Sequence, residues 1–137
     1  MSMLVMTLPD RTFWKDTVQE VILPTLGGQM GVLKNHVRML TGLDTGLIYV
    51  RRNSSSDWFT LVVTGGFALI NDNTVTILVN EAELVSEINL EEAEGLYLSS
   101  KHNLNTNRDI RKKFELISQF KKARARYEAR KALKTLI

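Results

Sequence analysis

Short apolar runs that alternate with polar positions dominate the first 85 or so residues, and clusters of Gly, Asn, Asp and Pro separate them. This two-residue period is typical of β-strands that bury one face of a sheet. Many short strands at regular spacing favour an antiparallel sandwich or barrel. The predicted strands cover residues 4–8, 12–14, 17–23, 31–33, 38–43, 46–51, 58–64, 66–70, 74–78 and 83–85.

The apolar spacing changes to that of helices near residue 88. Asn89 stands three positions before Glu92, a capping-box pattern that predicts a helix from residue 90 to about 101, weakened by Gly95. The Asn-rich stretch 103–107 is expected to end it, and a second helix is predicted from about 109 to about 134. The apolar residues that share one face of this second helix are Leu116, Phe120, Ala123 and Tyr127.

Together these patterns predict an α+β chain, mostly β and then α. An antiparallel β-sandwich of about ten strands occupies residues 1–87, and a C-terminal α-helical hairpin occupies residues 88–137. Hydrophobic residues make up 44% of the chain and charged residues 24%, which is ordinary for a globular protein with one core.

Charge is distributed unevenly along the chain. Residues 108–137 contain 11 Lys/Arg against 3 acids, a net charge of +8, whereas residues 1–107 contain 7 against 12, a net charge of −5. A segment this basic on a mildly acidic body indicates a negatively charged partner.

Four basic residues recur every fourth position in the second helix, which places them on one ridge of that helix. Like charges at this spacing disfavour an isolated helix, and Glu128 is the nearest acid along it. A solvated helix face is the plain interpretation, and docking on an acidic partner is the functional one. The residues are Lys122, Arg126, Arg130 and Lys134.

Two further classes of function remain open on these patterns. A β-domain with a basic helix is compatible with nucleic-acid binding, although the acidic body lacks the interleaved Arg and aromatic residues of a stacking platform. A free-standing β-sandwich adaptor is the other alternative.

Glycines at positions 27, 28 and 31 predict a tight chain reversal or a close backbone approach. No Lys-Ser or Lys-Thr pair follows them, so the segment is not a phosphate-binding loop of the familiar kind. Met30, Val32 and Leu33 are apolar, so an exposed tip here would be a protein contact. A purely structural hairpin is the alternative.

Catalytic chemistry has no support in the sequence. His36 and His102 are the only histidines, and neither has the Ser or carboxylate pattern of a triad. The chain has no cysteine, which excludes disulfides, thiol nucleophiles and cysteine-bound zinc. No catalytic residue, cofactor, metal or small-molecule ligand is expected, and no apolar run is long enough to span a membrane.

Several linked motifs follow one another in a fixed order along essentially the whole chain, and together they are far more specific than any one alone. In this order they resemble the epsilon subunit of F-type ATP synthases in its plastid or cyanobacterial form. The motifs are Leu23-Pro24, Gly28-Gln29-Met30-Gly31-Val32-Leu33, Asn35-His36, Leu40-Thr41-Gly42-Leu43-Asp44-Thr45-Gly46, Gly65-Gly66-Phe67-Ala68, Val75-Thr76-Ile77-Leu78-Val79-Asn80, Glu91-Glu92-Ala93 and Phe120-Lys121-Lys122-Ala123-Arg124-Ala125-Arg126-Tyr127.

The resemblance implies a non-catalytic rotor subunit in the central stalk of a proton-translocating ATP synthase. Its sandwich would bind the gamma subunit near Thr41 and rest on the membrane c-ring. The c-ring contacts implied are Gln29, Met30, Gly31, Val32, Leu33 and His36. In this family the hairpin can extend along gamma, meet acidic segments of the beta subunits in the alpha/beta head and hinder ATP hydrolysis, so Lys122, Arg126, Arg130 and Lys134 would dock there.

The resemblance also implies a location and a difference in ligand binding. The location would be the stromal side of the plastid thylakoid membrane, peripheral to it, with the cyanobacterial thylakoid as the second choice. Some bacterial members bind ATP through an Ile-Asp-x-x-Arg-Ala motif, and Asn89 and Glu92 replace its Asp and Arg here. Because a carboxylate repels phosphate, no useful ATP site is expected.

Overall fold

A computed structural model describes the backbone of residues 2–33, 37–53 and 58–136, and the side chains of residues 3–33, 37–53 and 58–133. The contacts divide the chain into two compact units, residues 1–82 and residues 83–137. The sequence predicts a boundary five residues later, after residue 87. Residues 83–87 belong with the helices because a 3-10 turn, Val85–Glu87, packs against the second helix.

The first unit is a β-sandwich, as the sequence predicts, but the described residues form seven strands rather than about ten. Most strand pairs are antiparallel, and β1 runs parallel to β7. The strands are β1 Ser2–Leu8, β2 Arg11–Thr25, β3 Gly28–Val32, β4 Met39–Leu43, β5 Gly46–Arg52, β6 Trp58–Asn71 and β7 Thr74–Leu84.

The number of strands is smaller because neighbouring predicted strands fuse. Strand β2 pairs with β1 along its first part and with β5 and β3 further on, and β6 pairs first with β5 and then with β4. The polar residues Lys15 and Asp16 suggest that the strand is interrupted, yet both remain paired with β1. The Asp16 carboxylate forms an ion pair with Arg52 at 2.8 Å. In β6 the chain bends at Gly65, whose φ of +27° suits glycine.

Alternating side chains of these strands fill the core of the first unit. The largest inward-facing residues on β1, β2, β5, β6 and β7 have at most 1% of their surface exposed, as the two-residue period of the sequence predicts. The fully buried side chains of largest volume are Leu4, Met6, Leu23, Ile48, Leu61 and Ile77.

The second unit is the predicted helical hairpin. Helix α1 spans Leu90–Thr106 and helix α2 spans Lys113–Leu136, with a 3-10 turn at Ile110–Lys112 before α2. Asn89 caps α1, because its side chain accepts a hydrogen bond from the Glu92 amide at 3.0 Å, which confirms the predicted start. The end of α1 was placed too early by the Asn-rich stretch, since Thr106 and Asn107 still bond to carbonyls one turn back.

Aromatic stacking joins the two helices of the hairpin. Tyr97 of α1 stacks on Phe120 with ring centroids 5.8 Å apart and on Tyr127 with centroids 5.1 Å apart. Ala123, which lies between Phe120 and Tyr127 in the sequence, is buried, and Leu116 is half-buried. The face predicted from the spacing of α2 is therefore the face that packs on α1.

Gly66 is expected to tolerate no side chain. A Cβ built on it would overlap the carbonyl oxygen of Leu78 and lie 3.0 Å from the Val79 Cα, because the β6 and β7 backbones approach closely here. Gly66→Ala should lower the free energy of unfolding of the sheet unit by about 3 kcal/mol. Urea unfolding followed by tryptophan fluorescence measures this, since Trp14 and Trp58 both lie in that unit.

Gly95→Ala is the matched control, because no atom lies within 4 Å of its Cβ position in α1. It should stabilise the helix by about 1 kcal/mol, seen by far-ultraviolet circular dichroism. An unchanged fluorescence midpoint in Gly66→Ala would contradict the close approach of the two strands.

Tyr97→Ala should loosen the hairpin without affecting the sheet. The loss of two ring contacts at a half-buried position should cost about 1–2 kcal/mol, seen as a lower midpoint of helix melting by circular dichroism. Leu98→Ala, at the next and exposed position of α1, should change stability by less than about 0.5 kcal/mol. Equal effects of the two substitutions would show that the stack does not hold the helices together.

Candidate interaction surfaces

The glycine-rich segment forms a tight β-hairpin between β2 and β3, as the glycines predict. Thr25 pairs with Gly28, so Leu26 and Gly27 form the turn, and Gly28 has a φ of +121° that favours glycine. The Thr25 hydroxyl donates a hydrogen bond to the Gly28 carbonyl, which closes the turn.

The predicted ring-contact residues along this hairpin differ in exposure. Gln29, Gly31 and Leu33 are exposed and Met30 is half-buried. Val32 differs from the predicted ring contact, because its side chain is only 3% exposed. It lies on the core face of β3, opposite Val21, and does not reach the surface of the hairpin. His36 lies outside the described residues.

Leu26 is a surface residue that the sequence analysis missed. It projects from the hairpin turn with 75% of its surface exposed, and its amide donates a hydrogen bond to the Gly42 carbonyl at 3.4 Å. A large apolar residue next to two glycines is the signal that would have identified it, because turns usually carry polar residues there.

Thr41, the predicted gamma contact, lies in β4 but on the inner side of the sheet. It pairs with Ala68, which is fully buried, and its own side chain is half-buried. Its neighbours Leu40 and Gly42 alternate onto the outer side.

The outer side of the sheet at this point carries an exposed apolar patch, here called the apolar sheet face. Leu40 of β4 and Leu69 of β6 lie directly opposite each other. Phe67 lies two residues before Leu69 in β6, so its side chain is on the same side of the sheet. Phe67 and Leu78 line one depression of about 250 Å³. These four side chains are 44–67% exposed, and a contiguous apolar patch of this kind marks a protein-contact surface. The members are Leu40, Phe67, Leu69 and Leu78.

The positive charge of the C-terminal segment is partly neutralised within its own unit. Residues 83–137 contain 12 Lys/Arg against 8 acids, a net charge of +4, because the acids of α1 and its approach belong to the same compact unit. The +8 of residues 108–137 is therefore not all available to a partner.

Arg126 is the clearest case, and it corrects the expectation of a solvated ridge with Glu128 as its nearest acid. Only 7% of Arg126 is exposed, and it is the one charged residue that is buried among the described residues. Its Nε lies 2.7 Å from Glu83 Oε1, its Nη2 lies 3.1 Å from Glu83 Oε2, and Nη2 also lies 3.4 Å from Glu92 Oε1. Arg126 therefore faces Glu83 at the end of β7 and Glu92 in the first turn of α1, acids that lie 43 and 34 positions away in sequence.

The electrostatic surroundings of Arg126 follow from this geometry. The hydrogen bond to the Glu83 carboxylate raises the pKa of Arg126 above its usual value, against the opposing effect of burial. The guanidinium therefore stays charged at every physiological pH, and the contact is a charge-assisted, two-pronged ion pair.

The other predicted docking residues differ from Arg126. Arg130 is half-buried and its Nε donates a hydrogen bond to the Ile88 carbonyl at 2.9 Å, while its Nη1 is buried without a hydrogen-bond partner. Lys122 is half-buried. The side chain of Lys134 lies outside the described side chains. The structure thus brings Arg126 and Arg130 against the segment 83–92, which includes the end of β7 and the start of α1.

Asn89 and Glu92, which replace the Asp and Arg of the bacterial ATP motif, both make contacts inside the unit. The Asn89 side chain caps α1, and the Glu92 carboxylate contacts Arg126. The part of the chain that the structure describes contains no cluster of His, Asp and Glu side chains that could bind a metal ion. It also contains no helix that is long and apolar enough to cross a membrane.

Comparison with known proteins identifies the family. The family model described as ATP synthase, Delta/Epsilon chain, beta-sandwich domain, matches residues 2–85. The chloroplastic ATP synthase epsilon chain of Euglena gracilis is 65% identical over 121 residues, which cover 88% of this chain and 90% of that protein. Its counterpart in Chlorella vulgaris is 46% identical over 125 residues, covering 91% and 92%.

Solved structures share the fold at low sequence identity. A chain of the Euglena gracilis mitochondrial ATP synthase, solved as an OSCP/F1/c-ring assembly, superposes with a TM-score of 0.83 at 23% identity and covers 93% of this chain and 80% of that one. A chain of the Tetrahymena thermophila mitochondrial ATP synthase, central stalk and c-ring, gives a TM-score of 0.68 at 18% identity, covering 94% and 96%. Neither nucleic-acid binding nor a free-standing adaptor is favoured by these relatives, and the chain belongs to the family of F-type ATP synthase epsilon chains of the plastid type.

Proposed function

We propose that this chain is a non-catalytic rotor subunit in the central stalk of a proton-translocating ATP synthase. The observation that carries the proposal is the 65% identity to a chloroplastic epsilon chain, which spans both the sheet and the helical hairpin. The fold supports it too, since similar chains occur in an OSCP/F1/c-ring assembly and in a central stalk and c-ring assembly. The names of the relatives support a plastid location. Within the plastid, we assign the chain to the stromal side of the thylakoid membrane, peripheral to it.

The apolar sheet face is the surface that we assign to the gamma subunit. Thr41 points inward, so the contact is made by its neighbour Leu40 together with Phe67, Leu69 and Leu78. Desolvation of four large apolar side chains favours a lasting interface, as a rotor coupling requires. The inward Thr41 supports this surface from below.

The β2–β3 hairpin and the segment after it are the proposed contact with the c-ring. Gln29, Met30, Gly31 and Leu33 offer an exposed edge of mixed polarity, and His36 follows close by in sequence. Val32 anchors this edge in the core rather than touching the ring. Leu26 at the turn adds an apolar side chain to the hairpin surface.

The helical hairpin is the proposed brake on ATP hydrolysis. Lys122, Arg126, Arg130 and Lys134 would dock on acidic segments of the alpha/beta head. Arg126 and Arg130 contact groups of their own unit in this structure, so docking requires that α2 leave α1. We accordingly assign the compact hairpin to the released state of the brake.

Nucleotide is not needed for this role. The Asn89 cap and the Glu92 carboxylate occupy the two positions where an ATP-binding member presents Asp and Arg. A carboxylate held next to the incoming phosphates raises the cost of binding, which supports a hairpin that works without ATP, any other small ligand or a cofactor.

Phe67→Ser should weaken binding of the full chain to gamma by about tenfold or more, because a central aromatic side chain of an interface often contributes 2 kcal/mol or so. Titration calorimetry with purified gamma measures the change. Trp58→Ser is the matched control, since Trp58 is also an exposed aromatic residue of β6 but lies outside the apolar sheet face. Equal losses in both variants would refute the assignment of this surface.

Removal of residues 108–137 should raise ATP hydrolysis by the reconstituted complex while assembly stays largely intact. The reason is that the deletion takes away all of α2 but leaves the sheet unit and its two proposed contact surfaces. Hydrolysis rates measured at equal amounts of assembled complex test this. A rate equal to that of the intact complex would contradict the inhibitory role.

A further inference from the structure

Three separate segments of the hairpin unit meet at Arg126. Glu83 lies at the end of β7, Glu92 lies in the first turn of α1, and Arg126 lies in the second half of α2. Arg130, one turn further along α2, bonds to the carbonyl of Ile88 between the two acids. The compact hairpin is thus fastened at one point by charge, in addition to the aromatic stack.

The contact to Glu83 uses the guanidinium in its strongest geometry. Nε and Nη2 of Arg126 donate parallel hydrogen bonds to the two carboxylate oxygens of Glu83, at 2.7 and 3.1 Å. Nη2 also donates to the carboxylate of Glu92 at 3.4 Å. The two acids are themselves 37% and 58% exposed, whereas the arginine side chain is 9% exposed. Solvent or a partner can therefore reach the carboxylates but hardly reaches the guanidinium.

An external carboxylate needs the same N–H donors that Glu83 and Glu92 occupy. While the contact is closed, a partner cannot bind Arg126, and loss of the carboxylates leaves a buried charge without a counter-ion. Such a charge is strongly unfavourable in place, so it drives α2 away from α1. The internal acids and an external acidic partner are alternatives for one cation.

We propose that Glu83 and Glu92 form an internal acidic site, the acidic clasp, that holds Arg126 inside the compact hairpin and withholds it from carboxylate-bearing partners. The clasp sets how readily the hairpin opens. This proposal rests on the proposed function of the hairpin as a brake, since the competing partner would be an acidic segment of the catalytic head.

Hydrogen exchange in the free full-length chain tests the clasp. Glu83→Gln/Glu92→Gln keeps size and polarity but removes the charges, and amides in the Arg126 region of α2 should exchange about tenfold faster. Glu91→Gln/Glu94→Gln is the charge-matched control, because both acids are exposed on the same helix. The control should exchange at the rate of the unmodified chain. Glu92→Gln alone retains the Glu83 pair and should show a smaller effect.

Binding of a fluorescein-labelled oligoglutamate peptide at low salt tests the withholding of Arg126. Glu83→Gln/Glu92→Gln should bind this probe about fivefold more tightly than the charge-matched control. Adding Arg126→Gln should abolish that gain because the docking cation is gone, and exchange should slow again because no uncompensated buried charge remains.

Unchanged hydrogen exchange in Glu83→Gln/Glu92→Gln would overturn the clasp. It would also be overturned if this variant bound the peptide no more tightly than the control does, or if its higher affinity for the peptide persisted after Arg126→Gln was added. None of these measurements uses the assembled enzyme. A failure of the brake itself appears instead as unchanged hydrolysis on removal of residues 108–137, so the two failures are distinguishable.

Discussion

The hairpin unit depends on one buried charge. Arg126 is 7% exposed and is held by carboxylates of two other segments of the unit, so these carboxylates stabilise the compact form together with the aromatic stack. A buried cation is unfavourable without its partners and well satisfied with them, and intermediate arrangements are costly. This contrast favours a closed and an open form over a gradual loosening, which suits an element that must change its contacts.

The sheet unit is built for the opposite task. Its core is filled by alternating strand residues, and the close approach of β6 and β7 at Gly66 leaves no room for adjustment. The same alternation that turns Thr41 inward exposes Leu40, Phe67, Leu69 and Leu78 on the outer side. A stiff sheet with one apolar face suits a permanent contact, while the charged hairpin suits a reversible one.

Local patterns in the sequence predict the fold well and the site incompletely. The Asn89 cap, the glycines of the β2–β3 hairpin and the apolar face of α2 depend on neighbours a few residues away, so their spacing is sufficient. The continuity of β2 and of β6 is not predicted, because a strand that changes partners contains polar residues or glycine that resemble a break. The pairing of Arg126 with Glu83 spans 43 positions, and no local pattern reports it. A regular series of cations was therefore interpreted as solvent-facing when one member is buried.

We expect α2 to separate from α1 when the hairpin engages the catalytic head. Because the chain has no cysteine, spin labels can be placed at Ser99→Cys on α1 and Ser118→Cys on α2, two exposed serines, without other changes. Pulsed dipolar spectroscopy then measures the distance between the labels in the free chain and in the inhibited complex. We expect one short distance in the free chain and a second, longer one in the complex. A single short distance in both would contradict it.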